Sequence, residues 1–158
     1  MNPEHWLDAA EQLLGESRRG APRQVNLRCA VSMVYYSLFH WLANCAADAL
    51  AGSSGPRSRS WVRVYRGLDH RQVRQQCHHG RIPAEFPPGI RHFAAELAEM
   101  QALRHEADYD PSASFSKSDV REYLGIADNI LETVQAASPA EKRALAIHVL
   151  CRERPATS

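Results

Sequence analysis

The chain has 158 residues, of which 44% are hydrophobic and 23% are charged, and its formal net charge is +1. A chain of this length and composition can bury a core of its own, and it lacks the low hydrophobicity and high net charge of a disordered chain. A net charge this small excludes an overall field that would draw the protein to nucleic acid or to a membrane, so such binding would need a local patch.

The cysteines and the start of the chain indicate the compartment. The four cysteines are Cys29, Cys45, Cys77 and Cys151. No two of them form a C-x-x-C pair, and we expect free, buried thiols rather than a disulfide framework, because free cysteine behaves as a small hydrophobic residue. Residues 1–4 lack the basic start and apolar run of a signal peptide, and no stretch approaches the roughly 20 apolar residues of a membrane span. We therefore expect a cytoplasmic protein without a membrane partner.

In the first half of the chain, helix signals predict three helices. The first begins at Asn2-Pro3-Glu4, which combines an N-cap residue with an early proline and an acid, and it is interrupted by Gly20-Ala21-Pro22. A long second helix spans about residues 22–50, and its apolar residues recur at helical spacing on so many sides that we expect it to be central. After a flexible loop at 51–60, residues 61–79 predict a third, less regular helix.

In the second half, prolines and capping signals mark three more helices. A clearly amphipathic fourth helix runs from about residue 90 to Tyr109. Ser116 and Asp119 have the spacing of a capping box that starts a fifth helix, and the same pattern at 138–141 starts a sixth. No alternating run of apolar and polar residues predicts a strand. The chain is therefore predicted to be all-α, an antiparallel up-and-down helical bundle of about five to six helices.

The predicted helices are joined by short links, apart from the loops at 51–60 and 80–88. Short links are typical of neighbouring helices in one bundle. We expect a single domain over residues 1–158, with a core at about 4–137 and a C-terminal helix at about 139–151.

Two motifs, on the second and fourth predicted helices, resemble those of a known family. The second helix contains the run SMVYYSLFH at 32–40, and the fourth ends with LRHEADY at 103–109. A Tyr-Tyr-small-x-Phe-His run on an early long helix, followed by Arg-x-x-Ala-Asp-Tyr at the end of a later one, resembles the HEPN superfamily. The resemblance covers about residues 4–137, and the order of the helices also matches.

The resemblance implies a helical bundle that dimerises through its late helices. Many members are metal-independent ribonucleases of toxin–antitoxin and phage-defence systems, and their motif is an arginine followed, after four to six residues, by a histidine. The arginine would hold the scissile phosphate as a permanently charged planar donor. The histidine would move the proton of the RNA 2′-hydroxyl, which suits a group that titrates near neutral pH.

This sequence departs from that motif at its second position. Arg104 stands at the expected place, but Tyr109 stands where the active form has a histidine. A phenol, whose ordinary pKa is about 10, is a poor general base at neutral pH. His105 directly follows Arg104, and consecutive helical residues do not face each other, although His105 could act across a dimer and Tyr109 could position RNA. The candidate catalytic residues are therefore Arg104, His105 and Tyr109, in an incomplete Arg-x4-His motif.

Packing offers a structural explanation for several of the same residues. Arg104 and Asp108 are spaced as an i,i+4 ion pair on a helix, which contributes roughly 0.3–0.5 kcal/mol when exposed. Tyr35, Tyr36 and Phe39 have apolar neighbours, so we expect them to pack in the core or at an interface rather than to stack on bases.

The segment 57–81 is strongly basic, with seven arginines, three histidines and a single acid, Asp69. If the segment is one helix, a single face carries Arg63, Arg66, His70, Arg74 and His78. Such a face could bind phosphates through counterion release, and the alternative is an ordinary solvated helix face. The candidate nucleic-acid-binding residues are Arg63, Arg66 and Arg74.

The sequence Cys77-His78-His79, with His70 nearby, contains potential metal ligands. Structural zinc usually takes two ligand pairs at fixed spacings, and only one cluster is present. Glycine-rich phosphate loops are also absent from the sequence. We therefore expect neither a metal nor a cofactor.

Three hypotheses on function follow from these residues and from the resemblance. The leading one is a dimeric HEPN-like accessory or toxin- and defence-associated module that binds RNA or a partner protein, with catalysis lost or weak. The alternative is an active metal-independent HEPN endoribonuclease, a toxin with a cognate antitoxin. A second alternative is a protein-interaction module partnered with a nucleotidyltransferase-type protein. We expect a homodimer, and for the interaction module a stable oligomer or a co-purifying partner.

Overall fold

The computed structural model describes residues 2–15, 20, 23–78 and 80–151, and the secondary structure of these residues is entirely helical. The helices in chain order are α1 (Glu4–Gly15), α2 (Gln24–Ala51), α3 (Arg59–Gly67), α4 (His70–Cys77), α5 (Pro88–Tyr109), α6 (Lys117–Gln135) and α7 (Pro139–Leu150). The prediction of an all-α helical bundle is confirmed, and the described residues form seven helices in place of the predicted five to six. Of the predicted interruption Gly20-Ala21-Pro22, only Gly20 is among the described residues. No described helix has the length and apolar character needed to cross a membrane.

The difference in helix number arises in the basic segment, where the predicted helix 61–79 is two shorter helices. α3 ends at Gly67, and the side chain of Asp69 accepts a hydrogen bond at 2.8 Å from the backbone N–H of Gln72 at the start of α4. An aspartate N-cap satisfies one of the backbone donors that a new helix leaves without an intrahelical partner. Leu68, between the two helices, is buried. The single acid of this segment thus starts a helix, and His79 lies outside the described residues.

The two predicted capping boxes are confirmed. Ser116 and Asp119 exchange side chain-to-backbone hydrogen bonds at the start of α6, and Ser138 and Glu141 do the same at the start of α7. Each box satisfies two backbone N–H groups that would otherwise lack a partner.

α2 is the central helix, as its apolar content predicts. Fourteen of its 28 residues are buried, and α1, α3, α5, α6 and α7 all pack against it. Ser37 is fully buried, and its hydroxyl donates to the carbonyl of Val34 at 2.7 Å, so this polar group has a partner inside the core. Trp41 packs edge-on against Phe93 of α5, with ring centroids 4.8 Å apart.

The C-terminal helix α7 contributes to the same hydrophobic core through Leu145, Ala146 and Val149. α4 is tied to its end, because the Gln72 side-chain amide donates to the carbonyl oxygens of Val149 at 2.9 Å and Leu150 at 3.0 Å. The last carbonyls of a helix have no intrahelical partner, so Gln72 caps α7 from a neighbouring helix.

The four cysteines are free and differ in exposure. Cys77 is buried and Cys45 is half-buried, whereas Cys29 and Cys151 are exposed, so the prediction of buried thiols is wrong for the latter two. The reason is position, since Cys29 lies on the outer face of α2 and Cys151 directly follows the end of α7. Burial raises the pKa of the Cys45 thiol to about 11 and that of Cys77 to about 12.

These environments predict which cysteines react in the folded protein. We expect iodoacetamide at mildly alkaline pH to modify Cys29 and Cys151 and to spare Cys45 and Cys77, because the thiolate is the nucleophile and a raised pKa keeps a thiol protonated. Intact mass spectrometry should find two adducts in the native protein and four in denaturant. The Cys29→Ser/Cys151→Ser variant is the control, and native adducts on it would contradict the prediction.

Gly89, in the first turn of α5, marks a close approach to α6. A Cβ atom at this position would lie 2.7 Å from Cγ2 of Thr133. The Thr133 side chain is held by a hydrogen bond from its hydroxyl to the carbonyl of Asn129 at 2.9 Å. The α5–α6 contact therefore leaves no room for a β-carbon unless this side chain moves.

We expect Gly89→Ala to lower the free energy of unfolding by about 1 kcal/mol in the natural chain, because the new methyl group overlaps that of Thr133. In a Thr133→Ser background the same change should raise it by about 0.5–1 kcal/mol, since serine keeps the hydroxyl and alanine is the better helix former. Urea denaturation of the four proteins measures both effects. Equal effects of Gly89→Ala in the two backgrounds would exclude the close contact.

Candidate functional site around Arg104

Arg104 lies near the end of α5, with a side chain that is 20% exposed. Its Nε lies 2.6 Å from Oδ2 of Asp108, one helical turn later, and its Nη2 donates to the hydroxyl of Tyr36 on α2 at 3.2 Å. The Nε–H is not directed at the carboxylate well enough for a hydrogen bond, so this contact is a close ion pair. Arg104 is therefore engaged on two sides by its own chain.

Asp108 is in turn held by α2. The hydroxyl of Ser32 donates to Oδ1 of Asp108 at 2.6 Å, so its two carboxylate oxygens face α2 and Arg104 respectively. We call Ser32, Tyr36, Arg104 and Asp108 the α2–α5 polar network. The spacing of Arg104 and Asp108 predicted their ion pair, but sequence reasoning missed Ser32 and assigned Tyr36 to packing alone. A serine and a tyrosine hydroxyl one turn apart on an apolar helix were the available signal.

The end of α5 is fixed by a second arginine that sequence reasoning did not identify. The guanidinium of Arg28, on α2, donates to the carbonyl oxygens of Ala107 at 3.2 Å and Pro111 at 3.3 Å, and also to that of Ala113. A cation near the C-terminus of a helix satisfies carbonyls that lack helical partners and is favoured by the helix dipole. Arg28 thereby holds the turn that follows Tyr109.

The three predicted catalytic residues lie together at the outer end of α5. The ring of Tyr109, which is 64% exposed, lies 5.0 Å from that of His105 and 5.7 Å from the guanidinium carbon of Arg104. His105 is also exposed. A guanidinium has several N–H donors, so Arg104 keeps some for an anion, but the carboxylate of Asp108 beside it opposes the approach of negative charge.

Two half-buried imidazoles, His40 and His70, lie on the inner side of this region. Nδ1 of His70 is 2.6 Å from the hydroxyl of Tyr35, and Nδ1 of His40 is 2.7 Å from that of Tyr65. Burial lowers the pKa of both histidines, and the positive charge of Arg104 adds to the effect on His70. Burial also raises the pKa of both tyrosines, so each phenol keeps its proton, and a hydrogen bond joins it to its imidazole. The structure therefore turns His70 inward, away from any basic face.

A row of neighbouring aromatic rings joins the polar network to α3. Neighbouring centroids are 5.1 Å apart for Trp61 and Tyr65, 5.9 Å for Tyr65 and His40, 5.3 Å for His40 and Trp6, and 5.2 Å for Trp6 and Tyr36. Such spacings are those of attractive aromatic pairs. The guanidinium of Arg57 lies 4.2 Å over the Trp61 ring, so an arginine flanks the row at each end.

The expected packing roles of the other aromatic residues of α2 fit this arrangement. Tyr35 and Phe39 are buried, whereas Tyr36 is half-buried and reaches the network. The ring of Phe39 lies flat on that of His70, with centroids 3.9 Å apart. The run at 32–40 thus supplies both core packing and the polar contacts to α5.

The break between α3 and α4 divides the predicted basic face into two surfaces. Arg63 and Arg66 are exposed on α3, and Arg74 is exposed on α4. Arg74 lines a groove together with Arg71 and Arg81, which the sequence reasoning had counted without assigning them a role. The structure therefore does not place the three predicted nucleic-acid-binding arginines on one helix face.

The described part of the chain contains no group of three histidine, cysteine, aspartate or glutamate side chains placed to hold a metal ion. Cys77 is buried at the end of α4, and His70 is engaged by Tyr35. His79, the last residue of the cluster singled out in the sequence, is outside the described residues.

The structure is a helical bundle built on a long central helix, and Tyr36 on that helix contacts Arg104 near the end of a later one, so the two motifs lie side by side. The family model of the HEPN domain matches residues 3–137, so the chain belongs to the HEPN family. Its members are helical domains of the toxin, defence and ribonuclease type, and they often dimerise. The match covers α1 to α6, and α7 lies beyond it. No curated protein and no solved structure matched the chain.

The α2–α5 polar network predicts energetic coupling between Arg104 and Asp108. We expect Arg104→Ala and Asp108→Ala each to lower the free energy of unfolding by about 1–2 kcal/mol, because each leaves a partly buried charge without its partner. The double variant should be less destabilised than the sum, with a coupling of about 0.5–2 kcal/mol in urea denaturation.

Glu106, exposed on the same helix, provides the matched control for this cycle. Glu106→Ala should change stability by less than about 0.5 kcal/mol, and its effect should add to that of Arg104→Ala. Strict additivity of the Arg104 and Asp108 substitutions would mean that the ion pair contributes nothing to stability.

Proposed function

We propose that this protein is a dimeric HEPN module of the accessory or toxin- and defence-associated kind that binds RNA, with catalysis at Arg104 lost or weak. The observation that carries the proposal is the engagement of Arg104 by Asp108 at 2.6 Å and by Tyr36 at 3.2 Å, in a motif whose histidine is replaced by Tyr109.

The chemistry of the network argues against efficient cleavage. A phosphate that approached Arg104 would meet the carboxylate of Asp108, which already compensates the charge of the guanidinium. The half-buried imidazoles nearby, His40 and His70, each have one ring nitrogen engaged by a phenol. A general base must reach the proton that it removes, and neither histidine occupies the motif position.

RNA association is supported by exposed arginines that take no part in the α2–α5 polar network. Arg63, Arg66 and Arg74 are exposed within the basic segment, on a chain whose formal net charge is only +1. Exposed arginines bind phosphates by releasing counterions, and this binding weakens as salt rises. A protein partner, whether a cognate antitoxin or a nucleotidyltransferase-type protein, is the competing proposal and predicts no RNA binding.

An active endoribonuclease is the second candidate function. It is favoured by the grouping of Arg104, His105 and Tyr109 at the outer end of α5, where both rings are exposed. In that case Arg104 would hold the phosphate, and His105 or Tyr109 would complete the cleft, within one protomer or across a dimer.

The first experiment incubates the purified protein with mixed cellular RNA in excess chelator, beside Arg104→Ala and Glu106→Ala variants. We expect no cleavage that depends on Arg104. Cleavage by the natural chain and by Glu106→Ala, but not by Arg104→Ala, would replace our proposal by the endoribonuclease, and His105→Ala and Tyr109→Phe would then assign the second role.

RNA binding is measured on the same proteins by filter binding over a range of salt concentrations. In the Arg63→Gln/Arg66→Gln/Arg74→Gln variant, the slope of log affinity against log salt should fall by about 0.7 for each phosphate that the variant no longer neutralises. The matched control neutralises three exposed arginines outside the basic segment, Arg91→Gln/Arg121→Gln/Arg143→Gln, and should bind normally. Absence of binding by the natural chain would contradict the proposal, and sedimentation of that chain as a monomer would contradict its dimeric form.

A further inference from the structure

A groove with a volume of about 810 Å³ lies between α4, the turn that contains Gly80 and Arg81, and the end of α7. We call it the α4–α7 groove. Three arginines line it, Arg71, Arg74 and Arg81, together with the imidazoles of His78 and His148, and no aspartate or glutamate among the described residues does. The groove is therefore a concave surface of one sign of charge on a chain whose total charge is close to zero.

The floor of the groove is fixed by hydrogen bonds between α4 and α7. Gln72 caps the end of α7 by donating to the carbonyl of Leu150 at 3.0 Å, and the side chain of Gln76 donates to that of Cys151 at 3.2 Å. In the opposite direction, Nε2 of His148 lies 2.9 Å from the backbone carbonyl of Gln76, so this nitrogen carries the hydrogen and donates it. These hydrogen bonds tie α4 to the end of α7 beside the groove.

The three arginines converge from two elements. Arg71 and Arg74 are exposed and one turn apart on α4. Arg81 is placed by a turn in which its N–H donates to the carbonyl of His78 at 2.9 Å, and Gly80 in that turn has φ of 85°. This φ lies in the left-handed region, which glycine adopts without the steric cost of a β-carbon.

The charge of these arginines is not compensated within the described structure. The ion pairs among the described residues are His92–Glu96 and Arg104–Asp108, and none of the three groove arginines takes part in one. This is the opposite of Arg104, whose charge is offset by Asp108. A free guanidinium is available for bidentate contact with a phosphate.

The groove also offers an apolar contact. Ile147 of α7 lines it and is 47% exposed. Successive phosphates of a nucleic-acid strand can contact cations on both α4 and the turn that carries Arg81. An unpaired base or a ribose can pack against an exposed aliphatic side chain. This combination suits a single RNA strand, whose bases are not enclosed in a duplex.

We propose that the α4–α7 groove binds the backbone of single-stranded RNA, with Arg71, Arg74 and Arg81 on the phosphates and Ile147 against a base or ribose. The inference rests on the RNA association proposed above and gives it a location. One wall of the groove, α7, lies beyond the residues matched by the HEPN family model, so the site is separate from the Arg104 motif and extends outside the family-matched region.

The test compares two triple variants that remove the same charge in different places. One is Arg71→Gln/Arg74→Gln/Arg81→Gln in the groove, and the other is Arg91→Gln/Arg121→Gln/Arg143→Gln, three exposed arginines that do not line the groove. With a fluorescent single-stranded RNA oligonucleotide, we expect the groove variant to lose affinity by about 10- to 100-fold and its salt slope to fall by about 2. The Arg91→Gln/Arg121→Gln/Arg143→Gln variant should lose less than about 3-fold, and thermal unfolding should be the same for both.

An independent readout uses the exposed thiols. Cys151 lines the groove, whereas Cys29 is exposed on α2, away from it. Saturating RNA should slow the alkylation of Cys151 by at least about 5-fold and leave the rate at Cys29 unchanged. In the groove variant the protection of Cys151 should disappear.

The outcomes separate this inference from the function on which it rests. Equal losses in the two triple variants, without protection of Cys151, would overturn the groove and leave RNA association in place. No binding by the natural chain would overturn both. Displacement of the RNA by a nucleoside triphosphate at an equal concentration of phosphate groups would assign the groove to free nucleotides and overturn the RNA proposal.

Discussion

The burial of α2 is the constraint on which the rest of the structure depends. Fourteen of the 28 residues of α2 are buried, and five other helices pack against it. Only a small part of its surface therefore faces water. Polar groups on such a helix need partners from the helices that cover it. Ser32 and Tyr36 find theirs in Asp108 and Arg104 of α5, and Arg28 finds its partners in the carbonyls at the end of the same helix. The geometry of the HEPN motif in this chain is thus a consequence of how α5 packs on α2.

This packing connects the stability of the fold with the proposed weakness of its chemistry. An arginine that binds a scissile phosphate needs positive charge that no neighbouring group compensates. Arg104 instead forms an ion pair with Asp108 and donates a hydrogen bond to Tyr36. The half-buried His70 and His40 are likewise held by the hydroxyls of Tyr35 and Tyr65. The contacts around Arg104 therefore hold α2 and α5 together. Uncompensated positive charge lies elsewhere, on α3 and in the α4–α7 groove.

The basic segment shows where local signals and three-dimensional packing diverge. The three- and four-residue spacing of its arginines and histidines predicts one continuous helix. This prediction misses the N-cap at Asp69, where a second helix begins. Asp69 caps the start of α4, and Leu68 before it is buried. Once the chain turns at this point, His70 points to Tyr35 and not to solvent, and Arg74 belongs to a different surface from Arg63. The charged residues do recur at helical spacing, but that spacing does not show where one helix ends and the next begins.

The amino-acid sequence by itself determined the helical class, the central position of α2, the capping boxes of α6 and α7 and the two HEPN motifs. Each of these depends on residues a few positions apart, or on the apolar content of one segment. The Arg104–Asp108 ion pair belongs to the same group, since one helical turn separates its members. Only the tertiary structure decided that Ser32 and Tyr36 complete that pair, that Cys29 and Cys151 are exposed, and that α7 and α4 enclose a basic groove. These contacts join residues from different helices, and their geometry depends on how the helices pack, which the spacing of residues along the chain does not specify.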